Sequence, residues 1–419
     1  MTSRSRRVVL ALVAACLGAG SSEARTFKDV FRGGRPTPSP NIVLGNALAD
    51  TVARSLPLTS ASSGLTFRYD ASSGAFVRDT DLLGQLYLER ARPIGRGKWN
   101  VTVSYQRVNV DSVQGQDLDE LSDTAPPIIT GSFITSGQAG KRLVSFPRYA
   151  VGLRVDMVTL AATYGITDDL DVNLTLPILA SRLSVGSTEP NFTLNPNPIP
   201  RLCPNATRLA NGLTRCGPQN LHDVLHETGV GDLFLRGKYQ LVHGGWLDVA
   251  AGLVLRMPTG NQDNFQGTGD WELSPLLYLS TRRIPVAGPL AVQGFFNGGF
   301  DLNIDDVDRS EGRFGAGIDL EFGSRATFSI AFLAREPFHG FASAGFFDVP
   351  RFDPRTRARS VAPLFGLETD RPSYYSLSLG GRVNLWRDTV FGFANVLVPL
   401  VDQGIHTDPI PLVGVEATF

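Results

Sequence analysis

Beyond its first two dozen residues the chain holds no apolar run approaching the roughly 18 residues that a membrane-crossing helix requires, so a helical anchor is excluded. A charge excess is lacking as well: 39 Lys and Arg stand against 40 Asp and Glu in 419 residues, a formal net charge of -1. That balance offers no field for nucleic acid or for a polybasic membrane contact. Cysteine is scarce, with 3 in the whole chain. Cys16 falls in the leader described below, which leaves Cys203 and Cys216 as an even pair. The histidines nearest to them, His222 and His226 in "HDVLHE", have helical metal spacing but lack the central Glu of the H-E-x-x-H pattern. With Asp223 and Glu227 they read as a polar loop at a rim. The segment "DLNIDDVDRSEGR" places Asp301, Asn303, Asp305 and Asp308 at calcium-loop intervals, yet it lacks the Gly at the sixth place and the Glu at the twelfth. A solvated acidic loop is expected there. No catalytic residue, metal or cofactor is assigned, and the chain is not read as an enzyme.

What is present begins with a leader. In "MTSRSRRVVLALVAACLGAGSSEARTF" three arginines precede a short apolar run, and small residues follow. This is the pattern of a secretory signal peptide over residues 1–24, cut after Ala24, with a lipoprotein-type cut at Cys16 as the alternative. Export leads to an oxidising compartment, where Cys203 and Cys216, set in a Pro, Asn and Gly rich loop, are expected to bridge. Closing a loop of that size stabilises by roughly 3 kcal/mol in the chain-entropy account.

The mature region alternates. In "GVGDLFLRGKYQL" Leu233, Leu235, Tyr239 and Leu241 share one face, and Asp232, Arg236, Lys238 and Gln240 the other. A period of two is that of a strand. The same pattern recurs at 100–105, 170–176, 246–257, 313–322, 327–335 and 375–385. From 149 to 165 the phase slips near Val158, which predicts a bulge, and over 390–399 neither face is clearly the apolar one.

Between these runs the connections alternate in length. "ITDD", "VHGG", "RRIPVAG", "GSRA" and "LWRDT" are tight, whereas 186–228, 258–270, 303–312, 336–371 and 401–409 are long and polar. Tight turns at one end and long loops at the other belong to outer-membrane barrels. The expectation is an all-β, closed antiparallel up-and-down transmembrane barrel of about 12 strands over residues 97–419. It would lie in the outer membrane of a Gram-negative bacterium, with lipid against the Leu235 face. Asp232, Arg236, Lys238, Asp248, Arg256, Asp319, Glu321, Arg382 and Glu416 would then line the lumen. Charges of both signs do not make a strongly ion-selective pore; they can equally brace a lumen. The final strand "LVGVEATF" ends on Phe419 and resembles the closing strand that the barrel assembly machinery reads as a targeting signal. Residues 25–96 break the rhythm. "RGGRPTPSP" reads as a flexible or polyproline-like stretch, and "LTFRYDASSGAFVRD" as a hairpin turning at "DASSG". The region is expected to be a periplasmic lead or an inward plug.

"GVGDLFLRGKYQL" followed by "GLVLRMPTGNQDNFQGTGDWELSPLLYLS" resembles the MetA-pathway phenol-degradation transporter family over residues 229–280, and "LERARPIGRGKWNVTVSYQ" is similar to an N-terminal feature of bacterial members. The resemblance implies a transporter-like outer-membrane barrel. The expected function is passage of small solutes, hydrophobic or aromatic ones included. The alternatives are a structural or adhesive barrel with binding loops, or a barrel enzyme. No oligomeric state is assigned.

Overall fold

The computed structural model describes residues 26–27, 52, 67–70, 75–78, 87–113, 115–118, 128–130, 143–145, 148–189, 191–193, 207–210, 214–215, 219–243, 245–323, 325–353, 358–386 and 389–419. The expected signal peptide, the "RGGRPTPSP" stretch, Cys203 and Cys216 lie outside the described residues.

Alternating sequence becomes barrel wall. The strands are β1 Trp99–Val113, β2 Arg148–Gly165, β3 Leu170–Glu189, β4 in two parts (Gln219–Val230 and Leu233–Val242), β5 Leu247–Met257 and β6 Glu272–Thr281. They continue with β7 Leu290–Asn303, β8 Glu311–Phe322, β9 Ala326–Pro337, β10 Tyr374–Trp386, β11 Val390–Pro399 and β12 Ile410–Thr418. Each pairs antiparallel with the next. β12 pairs back onto β1, from Leu412 opposite Gln106 to Thr418 opposite Asn100. The seam finishes with two backbone bonds, Trp99 N to Phe419 O at 2.7 Å and Phe419 N to Trp99 O at 2.9 Å. Closure removes the open edges that lipid would not tolerate, and only the first part of β4, which pairs with β3 alone, keeps a free edge among the described strands. The two parts of β4 share one flank of β3, with Val230 opposite Ile178 and Phe234 opposite Thr175. Gly231 and Asp232 interrupt the ladder between them.

The short connections after β2, β4, β6, β8 and β10 share one end with both ends of the barrel chain, and the longer connections occupy the other. The long end carries a hairpin, Phe341–Asp353 on Ala358–Asp370. Ahead of the barrel, Phe67–Asp70 pairs with Ala75–Arg78, the hairpin expected from "DASSG".

The outer wall is apolar. Leu235 and Tyr239 are 44% and 50% exposed, whereas Asp232 and Lys238 on the other face are 2% and 7% exposed. Val103, Leu174, Leu253, Leu277, Ile318, Phe328 and Val413 extend this belt around the barrel. Trp99, Trp246, Trp386 and Phe419 are exposed at its tight-turn end, and Trp271, Phe300 and Phe338 near the other. An even-stranded antiparallel barrel with an apolar belt between aromatic girdles is a transmembrane barrel of the outer-membrane type.

The bulge expected near Val158 does not form: β2 pairs with β1 and β3 in unbroken register. The faces exchange chemistry instead. Inward residues of β2 run from Thr163 and Thr159 to Met157, Val155, Leu153 and Val151, all buried. Outward ones run from Leu160 and Val158 to Asp156 and Arg154. β1 makes the same exchange between Gln106 and Val108 inside and between Val103 and Arg107 outside; β3 makes it between Thr175 and Leu179 inside. β2 and β3 have 18 and 20 residues, well beyond the roughly 9 to 11 that a tilted membrane strand needs. Their far halves stand clear of the belt, so the outside turns polar. The inside closes on an apolar core with Phe27, Val52, Leu118, Phe265 and Ile405. The ambiguity at β11 resolves similarly: Phe391, Phe393, Asn395 and Leu397 point inward, and Phe393 packs with Leu412 and Tyr87.

Candidate functional site: the barrel lumen

At the tight-turn end the lumen is occupied by the chain itself. Residues 87–95, just ahead of β1, run along the inner wall, and several of their polar groups meet inward side chains. Arg92 Nε contacts Asp248 Oδ2 at 2.7 Å, the Ala91 amide donates to Ser280 Oγ at 2.9 Å, and the Ile94 amide donates to Asp171 Oδ2 at 3.1 Å. Glu89 lies 3.4 Å from Arg236 and 3.7 Å from Lys238, which in turn lies 3.6 Å from Asp171. Arg90 is 2% exposed, within the field of Asp319, Arg382 and Glu416. Burial lowers its guanidinium to about 10, against the pull of Asp319, and leaves it charged at neutral pH. Leu88 fits because β8 presents Gly315 and Gly317 to it; a Cβ there would stand 2.6 and 3.0 Å from the Leu88 methyls. A side chain on either glycine would push the segment off the wall.

Deeper in, a cavity of about 260 Å³ lies between this segment and the long loops. Tyr87, Leu88 and Glu89 form its near wall. Apolar groups from opposite sides of the barrel line it: Phe234, Val254, Leu276 and Tyr278 on one, Leu333, Ala334, Leu397 and Ile410 on the other. Charge is present but internally matched. Arg335 contacts Glu311 at 2.6 Å, Arg313 contacts Asp301 at 3.5 Å, and Arg256 bridges Asp232 at 2.8 Å and Glu272 at 3.2 Å. The Arg256 guanidinium also sits 5.4 Å from the centre of the Phe234 ring, a cation–π distance. Such a cavity suits a small molecule with an apolar body and one or two polar atoms.

The break in β4 has a local cause. Asp232, released from the ladder, accepts from the Gly260 amide at 3.0 Å, the Thr268 amide at 2.9 Å and the Thr268 hydroxyl at 3.1 Å. One carboxylate therefore folds the 258–271 loop inward. Gly260 and Gly267 permit the approach: a Cβ on Gly267 would lie 2.5 Å from Asp232 Oδ1. The loop carries Phe265, in a left-handed turn with φ 61°, into edge-to-face contact with Phe27 at 5.5 Å between ring centres. The "GVGD" and "PTG…GTGD" motifs thus form a single structural unit.

All nine residues expected in the lumen point inward, in four groups. Asp232 and Arg256 hold the inward loop. Arg236, Lys238 and Asp248 hold residues 89–92. Asp319, Arg382 and Glu416 surround Arg90, with Arg382 3.4 Å from Glu416 and Ser329 Oγ donating to Asp319 at 2.7 Å. Glu321 meets Arg283 at 2.6 Å at the tight-turn rim. In the acidic loop Asp305 accepts from the Trp271 amide at 2.8 Å, and the Asn303 amide oxygen caps a turn by accepting from the amides of Asp305 and Asp306. No trio of His, Cys, Asp or Glu suited to a metal occurs among the described residues. Sequence reasoning passed over Glu272, Glu311, Arg313 and Arg335, although their inward phase is the same as that of the residues chosen. Glu89, Arg90 and Arg92 carried no periodic signal at all.

No family model and no curated protein matches the chain. Solved structures similar to it include the outer membrane channel from Pseudomonas putida F1, at TM-score 0.42 and 13% identity, covering 78% of this chain and 98% of that one. A Pseudomonas aeruginosa FadL homologue aligns at TM-score 0.31 and 11% identity, over 78% of this chain and 90% of the other. The Ralstonia pickettii toluene transporter TbuX aligns at TM-score 0.29 and 13% identity, over 78% and 90%.

Proposed function

We propose that this barrel lets small amphipathic molecules, aromatic ones among them, cross the outer membrane through the central cavity, and that residues 87–95 act as a plug that must shift to let them pass. The cavity carries this reading: apolar walls face each other across the lumen, its charges are paired off, and the near wall is a short segment ahead of the barrel rather than one of its strands. Liposome swelling with the purified full chain is the test. Small phenolic and aromatic solutes should enter faster than sugars of equal mass. Equal exclusion of all solutes would favour a purely structural barrel, a reading to which the salt-bridged segment in the lumen lends independent support.

A further inference from the structure

Where β1, β2 and β3 leave the belt at the long-loop end, their outer faces carry arginine. Arg107 and Arg154 flank Asp156, each donating through Nε, at 2.7 and 2.9 Å, and Arg107 Nη2 also donates to the Tyr105 hydroxyl at 2.9 Å. One carboxylate thus orients two guanidinium forks. Arg182 stands directly across from Arg154 on β3 and on the same face, and His226 stands across from Arg182 on β4. Like charges placed opposite one another on a sheet destabilise it. Among the described residues no carboxylate meets Arg182. Three arginines against one aspartate leave a surplus of positive charge on a surface that no lumenal solute can reach. Immediately below it lies the apolar belt, with Val103, Val158, Leu160 and Leu174 exposed. Around β6 to β9 the corresponding boundary is aromatic, with Trp271, Phe300 and Phe338 exposed. The arginines are confined to one side of the barrel.

We propose that Arg107, Arg154 and Arg182 form a binding site for the phosphorylated headgroup of an outer-leaflet glycolipid, whose acyl chains lie on the belt beneath. Guanidinium forks match phosphate oxygens in bidentate fashion, and an anion between Arg154 and Arg182 removes the repulsion that the register imposes. The proposal rests on the outer-membrane reading, not on passage of any solute. The test is binding of bisphosphorylated lipid A, and of the same lipid after removal of its phosphates, to the full chain in detergent, followed by native mass spectrometry. The wild-type protein should prefer the phosphorylated lipid. Arg154→Gln with Arg182→Gln should weaken that preference about tenfold, the loss expected for charge-assisted bonds of 1.5 kcal/mol or more. Arg182→Gln alone leaves the Asp156 contacts intact and should weaken it in part, with heat-resistant migration showing that both variants are folded. Equal binding of the two lipids by the wild type, or an unchanged preference in a folded double variant, overturns the proposal. So does displacement of the lipid by millimolar inorganic phosphate, which would assign the site to a soluble anion. Liposome swelling should be the same for these variants as for the wild type, which separates failure here from failure of the transport reading.

Discussion

A single inward carboxylate and a single outward leucine three residues away show how much one position decides in this wall. Asp232 is buried and organises four donors, Arg256 Nε among them. Replacing it with Ala removes the shorter of the two carboxylate contacts of Arg256 and frees the 258–271 loop. Loss of one partner of a buried pair costs on the order of 3 to 5 kcal/mol, and the loop should become the first site of protease cleavage in an otherwise assembled barrel. Leu235 is the outward counterpart. A charge placed there faces hydrocarbon, and Leu235→Arg should destabilise by roughly 2 to 4 kcal/mol in an unfolding titration from lipid. An unchanged titration midpoint would mean that the face does not meet lipid. Residue facing is legible in the sequence because alternation is a local property, as buried Asp232 and exposed Leu235 show. The cavity's near wall was not legible, since Tyr87, Leu88 and Glu89 lie on a stretch with no period, and their partners are fixed only by closure of the wall around them.

At the scale of elements, the segment 87–95 and the far halves of β1 to β3 are the departures from a plain barrel. The sequence suggested a bulge near Val158 because apolar character passed from one face to the other. Period alone cannot distinguish a shift of register from a change of environment. Only the pairing of Tyr105 with Val158 and of Val158 with Ile178, unbroken on both sides, shows that the surroundings change while the strand continues. The lumen segment is held mainly by charge. Glu89→Arg combined with Arg92→Glu turns the pairs with Arg236, Lys238 and Asp248 into repulsions, while the barrel ladder is untouched. Single-channel recordings in planar bilayers should then show higher conductance and longer open periods than the wild type, with an unchanged amount of folded protein. Identical conductance would mean that the segment does not obstruct the path.

The molecule as a whole depends on one seam, and Phe419 lies at its end. Its backbone bonds reciprocally with Trp99, while its side chain is 62% exposed. Phe419→Ala keeps both backbone bonds and removes little burial. Refolding into detergent should proceed as for the wild type, while the amount assembled in cells falls several-fold if the aromatic terminus is read by the assembly machinery. Equal assembly in cells would leave Phe419 no role beyond closing the seam. The architecture was legible from turn and loop lengths because those lengths follow directly from crossing a bilayer. What fills the lumen was not, because it depends on contacts between segments more than a hundred residues apart in the chain, such as Ala91 with Ser280.

That same contact allows a direct test of whether solutes pass through the lumen once residues 87–95 move. In a chain with Cys203→Ser and Cys216→Ser, Ala91→Cys and Ser280→Cys put two thiols on adjoining residues, whose backbone amide and side-chain hydroxyl now meet at 2.9 Å. Oxidation pins the segment to β6, and reduction frees it. In liposomes loaded with protein in one state and then the other, entry of small aromatic solutes should be slow when oxidised and return to the rate of the unlinked protein on reduction. Equal rates in the two states, with the disulfide confirmed by mass spectrometry, would mean that solutes do not depend on movement of residues 87–95.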